Sequence, residues 1–463
     1  MNWWNDMDKI KLTKEKILEI IEKYDDKKTI DFYYQAVLDD LIESDQYLSI
    51  IIILFIFVRY YHEKLFVKNK VNIVEFFGMK KFNDSTEYWK YNELLKKTNL
   101  MIAKALINDE KIPDKQLIEF NDTYSLYLFC IGDYLRCLKN LNNSLYRDKN
   151  NWLSNFIKAS LIEICYINII SSDYKIALLN YQKDLIDKCS DINPMFDINI
   201  YKKVVEVINK RIDLLNIEEK NIKLTPIMNS FEKTNEWTEG LDFYLHNNLF
   251  LNPLNLFGNF YEASFENFED LNICDKNKEM FNEIIEDYKM CRNVMFSYYN
   301  NADNINKRKM SMVYSYLYSI FDKIAYLLKN VYDLDINEDR IYFTNKGLFD
   351  RKFKNSDIKF KELPNFTILP LYLIMKDVRV ANETNNALEI GTFEHNELRN
   401  TIDHKSIYLV DGDKLKRNAL ILLERARNAI LYTFMLLYSQ PNNQNLEGIS
   451  FIYTTLFCAL ENK

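Results

Sequence analysis

The sequence predicts an all-α fold, and three observations carry that prediction. Gly (8) and Pro (7) are scarce among 463 residues. Tight hairpins, β-sandwiches and Gly-rich nucleotide loops therefore have little to be built from, whereas long helices need few punctuators. Apolar residues recur at three- and four-residue steps, as in Leu126, Phe129, Leu135, Leu138, Leu141 and Leu145, the spacing of one helix face. Hydrophobic residues make up 48% of the chain, enough to bury a sizeable core in two or three domains and too many for wholesale disorder.

Met1-Asn2-Trp3-Trp4-Asn5-Asp6 lacks the basic-then-apolar profile of a signal peptide. The apolar run from Ile50 to Val58 falls short of the about 20 residues that a membrane-spanning helix needs, so it reads as a buried core helix rather than a membrane segment. The seven cysteines are scattered, no C-x-x-C occurs, and no His lies near enough to suggest zinc. Reduced thiols in a cytoplasmic protein without metal or cofactor fit best.

Residues 1–220 read as successive amphipathic helices. Gly132-Asp133-Tyr134 followed by Leu138, Leu141 and Ser144 resembles the inter-helix turn and second helix of a tetratricopeptide repeat, with Asn150-Asn151-Trp152 opening the next pair. Ser172-Asp173-Tyr174 with Ala177, Leu178 and Tyr181 repeats the pattern 40 residues on, against the usual period of about 34. Cys137 and Ser144 stand where such repeats carry alanine, Asp184 sits at another such position, and no proline closes either unit. An irregular helical domain is the alternative reading.

A linker is expected over 221–235, where periodicity fades and Pro226 interrupts, and a second domain over 236–463. His246 to Asn255 mixes Asn and Pro with large apolar residues, as in a buried connecting loop whose Asn side chains satisfy backbone groups. Helices follow at about 277–300 and 307–331, then a mixed stretch, 332–385, with short extended pieces such as Arg340-Ile341-Tyr342-Phe343. A helix from about Ala387 to Lys405 leads through Tyr408-Leu409-Val410 to Asp411-Gly412-Asp413, a turn with a ready N-cap. The last helix carries Leu415, Ala419, Leu422, Leu423, Ala426, Ile430 and Phe434 on one stripe that must pack on a partner.

The segment with the most concrete chemistry is Arg399-Asn400-Thr401-Ile402-Asp403-His404, which reads R-N-x-x-x-H. A histidine moves a proton near neutral pH, and an arginine holds a phosphate and neutralises charge developing on it. Such a pair can cut RNA without a metal. A structural reading exists for each residue: a lone helix histidine is often a packing residue, and Arg399 can pair with Asp403 four residues on. On a helix, Arg399 and His404 point roughly 140° apart. Glu397, Asn400 and His404 lie near one line, and His395, Arg399 and Asp403 near a second.

Glu397 to Lys405, followed by a further amphipathic helix, resembles the active-site helix of HEPN-domain ribonucleases, whose motif is R-N-x-x-x-H or a close variant. Asn248 to Asn255 and Leu369-Pro370-Leu371-Tyr372 are similar to the prokaryotic branch in which a HEPN domain follows tetratricopeptide-like helices. The resemblance covers about residues 235–440. It implies a HEPN-like helical bundle, a homodimer through that domain, and metal-independent endoribonuclease activity in a toxin or anti-phage abortive-infection effector. It also implies Arg399, Asn400 and His404 as catalytic residues, with Glu397, His395 and Asp403 in support. The N-terminal helices would then sense a protein trigger or a neutralising partner. Some HEPN toxins carry a regulatory tyrosine two residues past the histidine; that position is Ser406 here, and the nearest tyrosine is Tyr408.

Net charge is −7, so RNA requires a local basic patch. Arg351, Lys352, Lys354, Lys359 and Lys361, with Phe353 and Phe360 interleaved, offer one; a solvated Lys-rich loop is the bland reading. Lys307-Arg308-Lys309 and Lys414-Lys416-Arg417 are weaker patches. The competing function is a non-catalytic helical-repeat scaffold or adaptor whose HEPN-like domain only dimerises.

Overall fold

The computed structural model describes residues 112–130, 133–166, 172–192, 239–252, 254–257, 273–300, 304–362, 367–379, 401–402 and 410–438, with scattered positions at 205–213, 266, 268, 271 and 398. The chain divides into two compact units, and the first holds 1–72, 84–120 and 388–390. Of these only 112–120 are described; they include the start of helix α1 (Asp114–Cys130), where Leu117 and Phe120 are buried. Everything below concerns the second unit, 73–83, 121–387 and 391–463. The apolar run 50–58 and the linker 221–235 lie outside the described residues.

The fold is all-α, as the scarcity of Gly and Pro predicts. Helices α2 (Tyr134–Arg147), α3 (Trp152–Tyr166) and α4 (Ser172–Ile192) begin where the sequence places them and pack in succession. Asn151 caps α3 through Ser154 N–H to Asn151 Oδ1 at 3.2 Å. The departures from the repeat consensus have local reasons. Ser144 donates to Asp122 Oδ1 at 3.0 Å, joining Asn151 and Ser154 on that carboxylate. Cys137 donates its thiol to the Ser125 carbonyl at 3.1 Å. An alanine at either place removes a side-chain bond between α1 and α2.

Helix α5 (Glu239–His246) enters the loop that α6 (Leu254–Phe257) closes. Asn247 Nδ2 donates to the Phe243 carbonyl (2.8 Å), Asn252 Oδ1 accepts from Leu254 N (3.0 Å), and Asn255 Nδ2 donates to the Leu245 carbonyl (3.1 Å). This is the backbone service expected of those asparagines. Asn248 adopts φ 52°, a left-handed position that Asn tolerates.

The long helices α7 (Asp275–Asn300) and α8 (Asn304–Val331) pair, and α9 (Ile368–Arg379) and α10 (Gly412–Tyr438) complete the bundle. Helix α10 touches α7, α8 and α9. The stripe from Leu415 to Phe434 is buried as predicted, but from Arg425 to Leu437 every residue is buried, so α10 is the central helix rather than a one-sided one. The predicted N-cap forms: Lys414 N–H reaches Asp411 Oδ1 at 2.8 Å.

No strand forms among the described residues. The extended piece expected at 340–343 is instead an irregular bend after a 3-10 turn (Glu338–Arg340). Ile341 and Phe343 are buried and Tyr342 is exposed, as in a strand, but Phe343 N–H donates to Asp322 Oδ1 on α8 (3.0 Å) and not to a neighbouring strand. Isolated bridges at Leu334–Phe353 and Lys352–Lys359 are the extended contacts of this stretch. A π turn (Asn345–Phe349) follows, capped by Thr344 Oγ1. Gly347 fits there because a Cβ would lie 2.4 Å from the Tyr342 carbonyl oxygen. Phe343, Phe349, Phe360 and Tyr372 pack ring on ring to seal this segment against the bundle.

Candidate active site

Within the predicted motif helix, Leu398, Thr401 and Ile402 are helical, and Leu398 is buried. The catalytic candidates Arg399, Asn400 and His404, and the supporting His395, Glu397 and Asp403, lie outside the described residues.

From Val410 onward the chain is tied to neighbouring helices. Val410 is buried, and its carbonyl accepts from Lys307 Nζ of α8 at 3.4 Å. Asp411 caps α10, and the Gly412 carbonyl accepts from the Tyr298 hydroxyl at 3.5 Å. Lys416 lies 3.5 Å over the Tyr299 ring and donates to the Tyr299 carbonyl at 3.4 Å. The ends of α7, α8 and α10 are thus joined immediately after the motif.

Sequence reasoning missed the buried charges that hold this bundle. Arg292 of α7 forks onto Glu266, with Nη2 to Oε2 at 3.0 Å, and donates to the Leu249 carbonyl at 3.1 Å. Its guanidinium sits 4.5 Å from the Tyr244 ring centroid and 5.3 Å from that of Phe250. Burial alone would lower its pKa; the Glu266 hydrogen bond and charge outweigh that and raise it. Tyr288 donates to the same Leu249 carbonyl at 2.8 Å, and its pKa is raised by burial. Arg427 of α10 donates to the Phe250 carbonyl at 2.8 Å and to Asn428 Oδ1 at 3.1 Å, and burial lowers its pKa. Two arginines and a tyrosine therefore fasten the Leu249–Leu251 backbone, because this loop has no ladder to satisfy its carbonyls. Arg425 faces Asp377 of α9 at 3.7 Å, both 1% exposed. The available signal was Arg425-Ala426-Arg427 set between the apolar run 419–423 and the largely apolar 429–437, which carries charged groups into the core.

Three of the five basic side chains in 351–361 meet carboxylates. Lys352 pairs with Asp357 at 2.7 Å, Lys354 with Asp333, and Lys361 with Asp350 at 2.7 Å. Phe360 is fully buried and Phe353 half-buried, so both rings pack inward. Arg351 is half-buried, and its backbone bonds Leu348 and Phe360.

Residues 299–440 match a family model described as LA2681-like HEPN. The chain carries a HEPN domain. The match takes in α8, the bend and π turn, α9, the R-N-x-x-x-H segment and α10. Most of α7 and the whole Asn248–Asn255 loop precede the matched residues, yet α7 is the packing partner of α8, and Arg427 of the HEPN domain grips that loop. No curated protein and no solved structure matches this chain. No helix among the described residues is long and apolar enough to cross a membrane.

Proposed function

We propose that this protein is a metal-independent endoribonuclease acting as a toxin or abortive-infection effector. The observation that carries the reading is the R-N-x-x-x-H sequence, Arg399 to His404, inside the stretch that matches a HEPN family model. The RNA 2′-OH attacks the adjacent phosphorus in line, loses its proton to His404, and expels the 5′-oxygen of the next nucleotide. The products are a 2′,3′-cyclic phosphate and a 5′-OH. The leaving oxygen takes a proton from an acid, for which the motif histidine of a second protomer is the natural donor in a homodimer. Arg399 holds the non-bridging oxygens as charge accumulates, and Asn400 orients the phosphate or the histidine. His395, Glu397 and Asp403 orient these groups. The N-terminal helices receive the trigger or a neutralising partner, and the site of action is the cytoplasm.

Positioned proton transfer contributes roughly 10²–10⁴-fold. Purified wild-type and His404→Ala proteins are incubated with total tRNA and mRNA in EDTA, and the product ends are mapped chemically. Discrete cuts ending in cyclic phosphate, made only by wild type, are expected. Equal cutting by both proteins removes His404 from the chemistry and favours the scaffold reading.

A further inference from the structure

Helix α2 stands between α1 and α3 on one side and the central helix α10 on the other, and it is bonded to all three. Cys137 donates to the Ser125 carbonyl of α1 at 3.1 Å, and Ser144 to Asp122 Oδ1 at 3.0 Å. Lys139 and Asn142 lie roughly 150° round the helix from those two residues. Lys139 pairs with Glu424 of α10 at 3.0 Å, and Asn142 Nδ2 donates to the Leu256 carbonyl of α6 at 2.8 Å. At the opening of α2, the Leu135 N–H donates to the Tyr432 hydroxyl (3.0 Å), which in turn donates to Asp133 (2.6 Å). Helix α3 joins the same junction, since Lys158 donates to Asn142 Oδ1 at 2.9 Å. One further bond runs from the Tyr181 hydroxyl of α4 to the Phe257 carbonyl at 3.2 Å.

Helix α10 carries the contact onward. It runs unbroken for 27 residues, and every residue from Arg425 to Leu437 is buried. A helix packed on all sides moves as a body, because close-packed interfaces change by discrete shifts rather than by gradual deformation. Its opening is bonded to the chain that leaves the motif. Lys307 reaches the Val410 carbonyl (3.4 Å), Asp411 caps the helix through the Lys414 N–H (2.8 Å), and Tyr298 reaches the Gly412 carbonyl (3.5 Å). Val410 is six positions past His404. One rigid element therefore meets α2 at Glu424 and Tyr432 and meets the exit of the motif at 410–414. Tyr432 and Lys414 are about 27 Å apart along its axis.

We propose that α2 and α10 form the mechanical route by which an event on the N-terminal helices reaches the R-N-x-x-x-H segment. Displacing α2 withdraws the partners of Tyr432 and Glu424, α10 shifts, and the turn at 410–414 shifts with it. The motif is thereby re-aimed from its C-terminal side. The proposal rests on the reading of the N-terminal helices as the receiver of a trigger, and it names the path that the signal takes inside the molecule.

Hydrogen exchange of the full-length protein, read by peptide-resolved mass spectrometry, tests this path. Tyr432→Phe keeps the ring and removes both hydroxyl bonds to the opening of α2. Exchange is expected to rise over 133–139 and also over 410–416, there by about fivefold or more, the lower end of usual coupling between sites. Phe349→Leu, in the ring cluster of the π turn, loses stability without touching the α2 contact. With urea set so that global stabilities match, it is expected to raise exchange at 410–416 clearly less. Coupling is reciprocal, so Lys307→Ala, which loosens Val410, is expected to raise exchange over 133–139. Should Tyr432→Phe unfold the chain, Lys139→Ala removes the ion pair alone and is expected to give the same pattern at smaller amplitude. A rise confined to 133–139 and 424–432, a rise at 410–416 equalled by Phe349→Leu, or no response of 133–139 to Lys307→Ala overturns the proposal. Exchange is read without substrate, so a failed cutting assay would refute the ribonuclease reading and leave this outcome to be judged by itself.

Discussion

Tyr432, in the middle of the central HEPN helix, donates its hydroxyl to Asp133 at 2.6 Å across 299 residues of sequence. The same oxygen accepts the Leu135 backbone N–H at 3.0 Å, and Arg136 closes on Asp133 from the other side. Burial and the Asp133 carboxylate hold the phenol pKa well above its ordinary value, so the hydroxyl stays a donor at any working pH. The turn between α1 and α2 is thereby keyed to the HEPN domain, with Lys139–Glu424 at 3.0 Å adding a contact about one turn further along α2 and two turns back along α10.

Tyr432→Phe removes one of two donors to Asp133, leaving Arg136, and strips Leu135 N–H of its acceptor while keeping the ring. Leaving buried polar groups without partners costs about 1–3 kcal/mol. A urea midpoint lowered accordingly, with helix content retained, is the expected result. An unchanged midpoint would mean that the keying contributes nothing to stability.

Arg292 and Glu266 are both buried, at 7% and 8% exposure. Arg292→Ala strips the buried Glu266 carboxylate of its ion-pair partner, which costs about 3–5 kcal/mol, and it removes one donor from the Leu249 carbonyl. Arg292→Lys keeps the charge but loses the fork and the stacking over Tyr244, and it should fall between wild type and Arg292→Ala. Thermal unfolding of the three proteins orders them. A lysine variant as stable as wild type would show that charge alone, without the fork, suffices.

Lys158 is buried in α3, where it donates to Asn142 Oδ1 at 2.9 Å. Burial, with Lys188 adding repulsion, lowers its pKa from 10.5 to about 7. In the unfolded chain the group keeps its proton up to the ordinary value. Between about pH 7 and 10.5 the unfolded state therefore binds more protons than the folded one, and this group makes stability rise with pH by at most about 1.4 kcal/mol per unit. Below that window both states are protonated and its pH dependence vanishes. Lys158→Met removes the slope, so wild type should gain on the mutant as pH is raised from 7 to 10 in denaturant titrations. Parallel pH profiles for the two proteins would contradict the buried-lysine account.

Much of the helical framework was legible before any coordinates. The stripe of α10, its Asp411 cap, the openings of α2 to α4 and the asparagine-serviced loop at 247–255 all rest on interactions spanning a few residues, which composition and spacing record directly. The extended piece at 340–343 misled because alternating burial is necessary for a strand but not sufficient; Phe343 N–H found a side chain on α8 instead.

The sequence by itself determined the all-α class, the element order and the R-N-x-x-x-H motif, because helix periodicity, caps and short motifs are local. Only the tertiary structure decided that Arg292 and Arg427 fasten the Leu249–Leu251 loop, that Asp133 meets Tyr432, and that three lysines of the basic run at 351–361 are answered by carboxylates. The reason is electrostatic. What a charge does depends on the partners and the solvent around it, and those are set by residues tens to hundreds of positions away.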